Sequence, residues 1–314
     1  MVRRTAGLGA LAAAVIALTT ACGGGDDVSV QPASTPAAST TSSAASSTSA
    51  GPATSSATTA APSSASTSST PALGPKQDYA VGTCVKDMDK YAMVPCTMPH
   101  QLEVSAVVPS TMHADDVKKR GPYATAVCNQ HASTYLGSQA WPVTRLQAGR
   151  LPEGSDTKDR GTRFVCLVQE FQQDLKAPRT DRTGSLKGTL GGDGFFAYRV
   201  CGKGRVSTSN DVELVSCATP HASEAVGGRL NGKPGQTFPG ENAIQPAALK
   251  FCTPVGQKFL GTKTRKDVVV AQNSGGSAPW SRGQMVTGCF VEVTQGTVTK
   301  TMRGLGTKPL STVR

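Results

Sequence analysis

Aromatic residues are scarce in this chain: phenylalanine, tyrosine and tryptophan together make up 5% of its 314 residues. Proteins that bind single-stranded nucleic acid stack bases on aromatic side chains set among basic ones, and this pattern is missing. Also missing are three catalytic motifs, Gly-x-Ser-x-Gly, His-Glu-x-x-His and the Walker phosphate loop. The glycine-rich run at 191–194 precedes a predicted strand and has no downstream Lys-Ser/Thr, which favours a turn or hinge. We therefore predict no nucleic-acid partner, no catalytic residue and no cofactor.

No two of the nine cysteines form a Cys-x-x-Cys pair. This spacing is typical of structural zinc sites and of thioredoxin-like redox centres. Its absence argues against both, and we predict no metal site.

The chain has no long hydrophobic run. Its longest apolar stretch, 8–18, follows Arg3 and Arg4 and is too short to act as a stop-transfer helix. This pattern is typical of a signal peptide, here 1–21. Cys22 then stands at the position of a lipoprotein acceptor, so we predict a lipid (palmitate) anchor there. The alternative is cleavage by the ordinary signal peptidase and secretion, because Thr19 occupies the place where such sites usually have leucine.

Residues 22–76 consist almost entirely of Ser, Thr, Ala and Pro after a short polar leader. Such a segment buries too little apolar surface to offset the entropy of ordering its backbone. We predict a disordered stalk that follows the lipidated cysteine and carries the folded part away from the membrane.

Beyond the stalk, one motif occurs twice. Cys-Thr-Met-Pro-His-Gln-Leu-Glu at 96–103 recurs as Cys-Ala-Thr-Pro-His-Ala-Ser-Glu at 217–224, and each copy has one cysteine before it and two after it. Corresponding landmarks lie about 121 to 124 residues apart in the same order, which indicates a tandem duplication. Its repeated residues are Pro99, His100, Glu103, Pro220, His221 and Glu224.

Eight cysteines remain once Cys22 is set aside, four in each repeat, and an even number in an exported chain predicts disulfides. Four cysteines allow three pairings, and spacing alone does not choose among them. We favour the arrangement that braces two neighbouring strands and ties a helix to the last strand. It pairs Cys84 with Cys96, Cys128 with Cys166, Cys201 with Cys217, and Cys252 with Cys289.

The predicted fold class is α+β, with two tandem disulfide-stabilised domains that each contain a small antiparallel sheet and one main helix. Apolar residues at three- and four-residue spacing predict helices at 115–136 and 244–260, and Pro254 with Gly256 predicts a kink or split in the second. Strands are predicted at 81–85, 92–96, 102–108 and 163–171, and at 195–200, 213–217, 224–229 and 285–293. The predicted domains are 77–172 and 194–298, with a linker at 173–193 and a basic disordered tail at 299–314.

Basic residues outnumber acidic ones by 32 to 21, a net charge of +11, and the excess lies in the folded part. An exported basic protein suits anionic envelope polymers or phospholipid head groups. The simpler interpretation is that this charge keeps the domains soluble.

His100 with Glu103, and His221 with Glu224, are the repeated titratable pairs. One repeat offers two such ligands, fewer than a metal site needs. We predict a structural Pro-His turn in which the imidazole hydrogen-bonds to the backbone and to the glutamate. The alternative is an acid–base role in an enzyme that acts on wall polymers or lipids. Trp280 is predicted to pack, although an exposed ring could stack on a sugar.

The repeated arrangement resembles the septum formation family of actinobacterial exported and membrane proteins. The matching elements are Val-Gly-Thr-Cys at 81–84, both Cys-x-x-Pro-His-x-x-Glu copies, a helix with a central cysteine, and Pro-x-Trp before a final cysteine, here Pro279, Trp280 and Cys289. Lys158-Asp159 replace the tryptophan in the first repeat, and Tyr198-Arg199-Val200 precede the first cysteine of the second. The resemblance implies a link to cell division and no catalytic residues.

Together these observations predict an extracytoplasmic lipoprotein on the outer face of the cell membrane. It would act as a non-catalytic binding or scaffold module of the cell envelope, with a link to septum formation. Its expected partners are envelope proteins or anionic envelope polymers, and a tandem pair of weak sites would gain avidity. A binder of anionic glycan or lipid, driven by charge, is the further alternative.

Overall fold

The structure, a computed structural model, describes residues 78–153, 162–172, 179–209, 211–263 and 265–314. The predicted signal peptide, the predicted lipid site at Cys22 and the predicted stalk lie outside these residues. No helix in the described ranges is long and apolar enough to cross a membrane.

The first domain contains a five-stranded antiparallel sheet. Its strands are β1 (Cys84–Val85), β2 (Met93–Val94), β3 (Leu102–Pro109), β4 (Leu146–Arg150) and β5 (Arg163–Glu170). They lie in the order β2-β1-β3-β5-β4. Helix α1 (Val117–Leu136) packs on one face, and a 3-10 turn (Trp141–Val143) leads from it to β4.

The second domain repeats this plan. Its strands are β6 (Cys201–Gly202), β7 (Leu214–Val215), β8 (Ser223–Leu230), β9 (Val268–Asn273) and β10 (Val286–Val293). Their order, β7-β6-β8-β10-β9, is the order of the first sheet. The helices are α2 (Gly194–Tyr198), α3 (Glu241–Leu260) and α4 (Ser277–Ser281), followed by a 3-10 turn (Leu310–Thr312). The predicted α+β class with two disulfide-stabilised sheet domains is confirmed.

The two sheets also share their register. β3 has one extra residue opposite β5, between Val104 and Ala106, and β8 has one between Ala225 and Gly227 opposite β10. An extra residue of this kind is a β-bulge, which bends the strand and increases its twist. The bulge follows the motif glutamate by the same number of residues in both domains.

Both main helices contain 20 residues and end at a glycine in the left-handed conformation. Gly137 has φ 83° and Gly261 has φ 74°, which an L side chain rarely adopts. The predicted split at Pro254 and Gly256 is wrong, because α3 is continuous. A β-carbon on Gly256 would lie 2.5 Å from Val270 Cγ2, so this glycine lets the helix pack closely on β9.

The four disulfides follow the pairing that the sequence analysis favoured: Cys84–Cys96, Cys128–Cys166, Cys201–Cys217 and Cys252–Cys289. The second bond of each domain ties the middle of the main helix to the strand next to the central one, β5 in the first domain and β10 in the second. Bonds that close loops of this size contribute roughly 2–4 kcal/mol each, mainly by restricting the unfolded chain.

Two segments differ from the prediction. The described part of the predicted linker, 179–193, pairs with the first domain and buries Leu186 and Leu190 in its core. The predicted disordered tail packs onto the second domain, where Met302, Leu305 and Leu310 join the core cluster. Both segments are polar and rich in glycine, so their composition predicted a linker and a tail. The few apolar side chains that they contain are nevertheless part of the two cores. We call 179–190 and 298–313 the closing segments.

Three more elements differ from the prediction. The edge strands β4 and β9 were not predicted; they pair with β5 and β10. A strand was predicted at 195–200, but α2 occupies most of this range. Phe195 of α2 is buried in a cluster with residues of both domains, so tertiary packing overrides its strand propensity.

A pair of glycines allows the two domains to approach closely. Gly228 and Gly288 lie opposite each other on β8 and β10. A β-carbon on Gly288 would come within 2.4 Å of Val143 Cγ1, and one on Gly228 within 3.4 Å of the Ala140 Cα. The 3-10 turn of the first domain therefore rests on the bare backbone of the second sheet, the face opposite α3.

Candidate functional site

The repeated Pro-His-x-x-Glu motif lies at the same place in both domains, at a turn that leads into the central strand. His100 is 1% exposed, and His221, Glu103 and Glu224 are 0% exposed. Each motif is held between the sheet and a closing segment. We call each motif with its closing segment a clasp, the first being that of 96–103 and the second that of 217–224.

The backbone of each histidine pairs with its closing segment. His100 and Arg182 exchange two N–H···O bonds of 2.9 Å, and His221 and Val298 exchange two of the same length. The histidine backbone therefore joins the motif to a segment some 80 residues later in the chain.

Each imidazole bonds to the turn that precedes it. Nδ1 of His100 lies 2.8 Å from the Met98 carbonyl, and Nδ1 of His221 lies 2.7 Å from that of Thr219. A carbonyl oxygen only accepts, so Nδ1 is the donor. Within the described residues, Nε2 of both rings is buried and has no hydrogen-bond partner. The expected bond to the backbone is present, but the expected bond from histidine to glutamate is not.

The glutamates instead bind the closing segments, four residues beyond the histidine contact. Glu103 accepts from the Leu186 N–H at 2.6 Å, and Glu224 from the Met302 N–H at 2.9 Å. The side chains of Leu186 and Met302 are fully buried. Each carboxylate thus fixes the backbone at the point where the closing segment inserts a side chain into the core.

The remaining donors to the glutamates differ between the domains. Glu103 accepts from the hydroxyls of Tyr135 and Ser185, both neutral groups. Burial and the bond to Glu103 raise the pKa of Tyr135 far above its usual value. Glu224 accepts from the Thr301 hydroxyl at 2.6 Å and from Arg199, whose Nη2 is 2.5 Å away.

This difference is an exchange between two positions. Tyr135 of the first domain corresponds to Phe259, and Gly82 corresponds to Arg199. The β-carbon position of Gly82 is 3.9 Å from the Tyr135 hydroxyl. Tyr135 supplies a donor in the first domain, and Arg199 supplies donors in the second, where phenylalanine has none. Gly82 has φ 88°, which favours glycine, whereas Arg199 has φ −61°, which any residue adopts. The departure at 199 from the family pattern has this physical reason.

One cluster in the first clasp has metal-ligand residue types. Cys84, His100 and Glu103 place one ligand atom each within 4.8 Å of one another. However, the Cys84 sulfur is bonded to Cys96, and the Glu103 carboxylate already accepts three hydrogen bonds. The cluster lacks a thiolate and therefore does not form a three-ligand metal site in this state.

Trp280 packs in the interior, as predicted. It is 5% exposed, its Nε1 donates to the Gln236 carbonyl at 2.7 Å, and Phe238 contacts its ring edge-on. The buried ring leaves no face for a sugar to stack on.

An open cleft of about 630 Å³ lies where the two domains meet. Arg145, Glu170 and Phe171 line it from the first domain, and Leu214 and Ser216 from the second. Arg145 bonds to Glu170 at 2.9 Å and to the Ala197 carbonyl at 2.8 Å, so it also links the domains. No local pattern of residues predicts this cleft, because it depends on how the domains pack.

A family model described as septum formation matches residues 81–289. The match begins before the first cysteine of the first domain and ends at the last cysteine of the second, so it spans both clasps. Neither a curated protein nor a solved structure matches the chain.

Proposed function

Because this chain belongs to the septum formation family, we propose that it is a non-catalytic binding and scaffold protein of the cell envelope that works at the division septum. The family match supports a role in cell division or the envelope. Four disulfides agree with an extracytoplasmic location, where oxidising conditions allow such bonds to persist. We further propose that Cys22 carries a lipid that holds the protein at the outer face of the membrane.

The observation that carries the non-catalytic proposal is the burial of both motifs. A general acid or base must reach the proton that it transfers, within hydrogen-bond distance or through one water. The motif histidines and glutamates are at most 1% exposed, and the glutamates and Nδ1 bond to the protein's own chain. This arrangement favours a role in joining chain segments rather than in chemistry.

Two joined domains suit a scaffold. The 3-10 turn of the first domain rests on the second sheet, and the Asn129 side chain donates to the Gly283 carbonyl at 3.2 Å across the boundary. A unit of this kind presents surfaces of both domains to partners in a fixed arrangement.

The first test is the position of the protein in dividing cells. A fluorescent protein that folds outside the cytoplasm, fused to the carboxyl terminus of the full chain, should concentrate in a band at the septum. In-cell cross-linking followed by mass spectrometry should recover division or wall-synthesis proteins attached to residues 78–296. An even distribution along the cell surface would contradict the proposal.

The enzyme alternative is tested on the motif itself. Replacing both histidines with asparagine should lower the melting temperature, because the rings fill buried space and hold the turn carbonyls. The septal band should persist at a temperature where the variant is folded. A variant of unchanged stability whose cells accumulate an unprocessed wall polymer would favour an enzyme.

A further inference from the structure

The basic excess is divided very unequally between two domains of the same fold. Residues 77–193 contain 14 basic and 13 acidic residues, a net charge of +1, whereas residues 194–314 contain 15 basic and six acidic residues, a net charge of +9. Solubility alone does not require this concentration, because the first domain has the same architecture with almost no net charge.

Most of the few acidic side chains of the second domain are neutralised. Glu224 and Glu292 are 0% exposed and pair with Arg199 and Arg205. Both carboxylate oxygens of Asp267 are bonded to Arg265 at 2.8 Å, which lowers the pKa of this aspartate. Few carboxylates therefore remain to offset the exposed lysines.

Several of these lysines lie on chain segments that meet at the carboxyl end of α3. The closing segment contacts the end of this helix through Gly304 N–H to the Phe259 carbonyl at 2.8 Å and Gly306 N–H to the Leu260 carbonyl at 2.7 Å. Arg265 Nη1 donates to the Gly306 and Lys308 carbonyls. These bonds bring together the last helical turn, the loop residues 262, 263 and 265–267, and the closing segment.

We call the exposed side chains on these three pieces the basic cluster: Lys258, Lys263, Lys266 and Lys308. In the described part of the chain none of the four forms an ion pair within the protein. The Gln257, Phe259 and Leu260 carbonyls at the end of α3 accept from backbone N–H groups. The four exposed ammonium groups are therefore available to an external anion. Exposed large apolar residues are not part of the cluster; Leu249, the exposed one on α3, lies more than two turns from its end.

We propose that the basic cluster binds a linear polyanion of high charge density, such as a phosphate-bearing polymer of the envelope. Lysines without accompanying aromatic or apolar groups bind through charge density, which a linear polymer with closely spaced anions supplies. A bilayer surface is the less favoured occupant, because insertion of apolar side chains would add to such binding and the cluster has none. The inference rests on the proposed function, since it names the chemistry of one partner of the scaffold.

The test compares two variants of equal charge. The first replaces the cluster with glutamine: Lys258→Gln, Lys263→Gln, Lys266→Gln and Lys308→Gln. The control replaces four exposed lysines of the first domain: Lys86→Gln, Lys90→Gln, Lys118→Gln and Lys187→Gln. Both sets are made in the full chain with Cys22→Ser, so that no lipid contributes. All eight side chains are exposed, and equal melting temperatures establish that folding is intact.

The probes are long-chain inorganic polyphosphate and vesicles of phosphatidylglycerol with phosphatidylcholine. We expect the cluster variant to bind polyphosphate about tenfold or more weakly at low salt, with a smaller salt dependence, because fewer counterions are released. The control should change by less than about threefold, because only the distant, screened charge is altered.

Three results would overturn the inference. Equally weakened polyphosphate binding in both variants would show that binding depends on the net charge of the chain alone and not on the basic cluster. Absence of polyphosphate binding by the parent chain would exclude the ligand class. Loss of vesicle binding in the cluster variant, with polyphosphate binding unchanged, would assign the cluster to the membrane. The septal band tests the scaffold proposal separately, so either can fail while the other stands.

Discussion

The two clasps reach the same geometry with different electrostatics. In the first domain a buried glutamate is held by hydroxyls and a backbone N–H, and in the second by an arginine, a hydroxyl and a backbone N–H. The backbone bonds and the register of the closing segments are the same. What the fold requires is therefore a carboxylate with enough donors; the donors themselves are interchangeable.

The comparison also separates two roles of the sheet face opposite the main helix. In the first domain the facing pair is Val107 and Val165, whose side chains belong to an apolar cluster with Tyr79 and Leu151. In the second domain the equivalent pair is Gly228 and Gly288, which receive the other domain. One face is covered by its own side chains, and the other by a neighbouring domain.

The largest expected effect is at Arg199. Replacing it with alanine leaves the Glu224 carboxylate buried without its cation, which destabilises by about 3–5 kcal/mol. Denaturant unfolding should show this, with Lys203→Ala as a control, because Lys203 and Glu213 form an exposed pair worth less than about 1 kcal/mol. A loss below about 1 kcal/mol at Arg199 would mean that the hydroxyl and N–H donors suffice.

The closing segments are tested at their buried side chains. Met302→Ala and Leu186→Ala should each cost about 2–5 kcal/mol, because each removes a fully buried side chain and leaves a cavity. Thr307→Ala, an exposed change in the same region, is the control. Hydrogen exchange should show that each variant loosens its own domain first. If Met302→Ala left the free energy of unfolding unchanged, this would contradict an ordered closing segment in the second domain.

The domain contact is tested by Gly288→Val, which introduces into the second domain the residue found at the equivalent place in the first. Its side chain collides with Val143, and overpacking of this kind costs about 1–3 kcal/mol. Small-angle scattering should detect separated domains if the contact opens. Gly204→Ala is the control, since its β-carbon has only ordinary contact with Val212. If the scattering profile and the stability were both unchanged, the contact between the two domains would accommodate the valine side chain.

The exchange of donors predicts a smaller loss and a rescue. Tyr135→Phe removes one donor from a buried carboxylate and should cost about 1–3 kcal/mol. Phe259→Tyr, the reverse change in the second domain, should recover part of the stability lost in Arg199→Ala. Denaturant unfolding measures the loss in Tyr135→Phe directly. It measures the rescue as a double-mutant cycle of Arg199→Ala and Phe259→Tyr. A coupling of zero between 199 and 259 would show that the two positions act independently.

The smallest effect concerns the helix starts. The Asp116 carboxylate caps α1 by accepting from the Lys119 N–H, which lowers its pKa, whereas Gly240 at the start of α3 offers no side-chain cap. A depressed carboxyl pKa stabilises the fold above the unfolded pKa, and this contribution is lost as the pH falls through the folded pKa. The parent should therefore lose more thermal stability than Asp116→Ala between pH 5 and pH 2. If the melting temperatures of the parent and Asp116→Ala fell by the same amount over this pH range, the stabilising role of the Asp116 cap would be contradicted.

Local signals identified much of this architecture in advance. The main helices, the central strands and the four cysteines of each repeat follow from spacing along the chain, whereas the choice among the three possible pairings is made by the fold. The fate of the closing segments does not, because the bonds of Glu103 and Glu224 span 83 and 78 residues. Nothing near Leu186 or Met302 distinguishes these two residues from the apolar residues of an ordinary linker.

The candidate site was predicted in part. Repetition singled out the motif histidines and glutamates, and the resemblance added Trp280, but not the donors at Tyr135, Ser185 and Arg199. The charge asymmetry could have been found by counting each repeat separately, while the convergence of Lys258, Lys266 and Lys308 depends on a fold that joins a helix end to the carboxyl terminus.

From the sequence alone came the repeated motif, the four cysteines of each repeat, the α+β class and the family, because these depend on residue types at fixed local spacing. The tertiary structure decided which segments close each domain, how each buried glutamate is satisfied, where the two domains touch and where the free lysines meet. Those features depend on side chains brought together from distant parts of the chain. Burying a polar group without a hydrogen-bond partner is costly, and glycines at the domain contact let the two backbones approach closely.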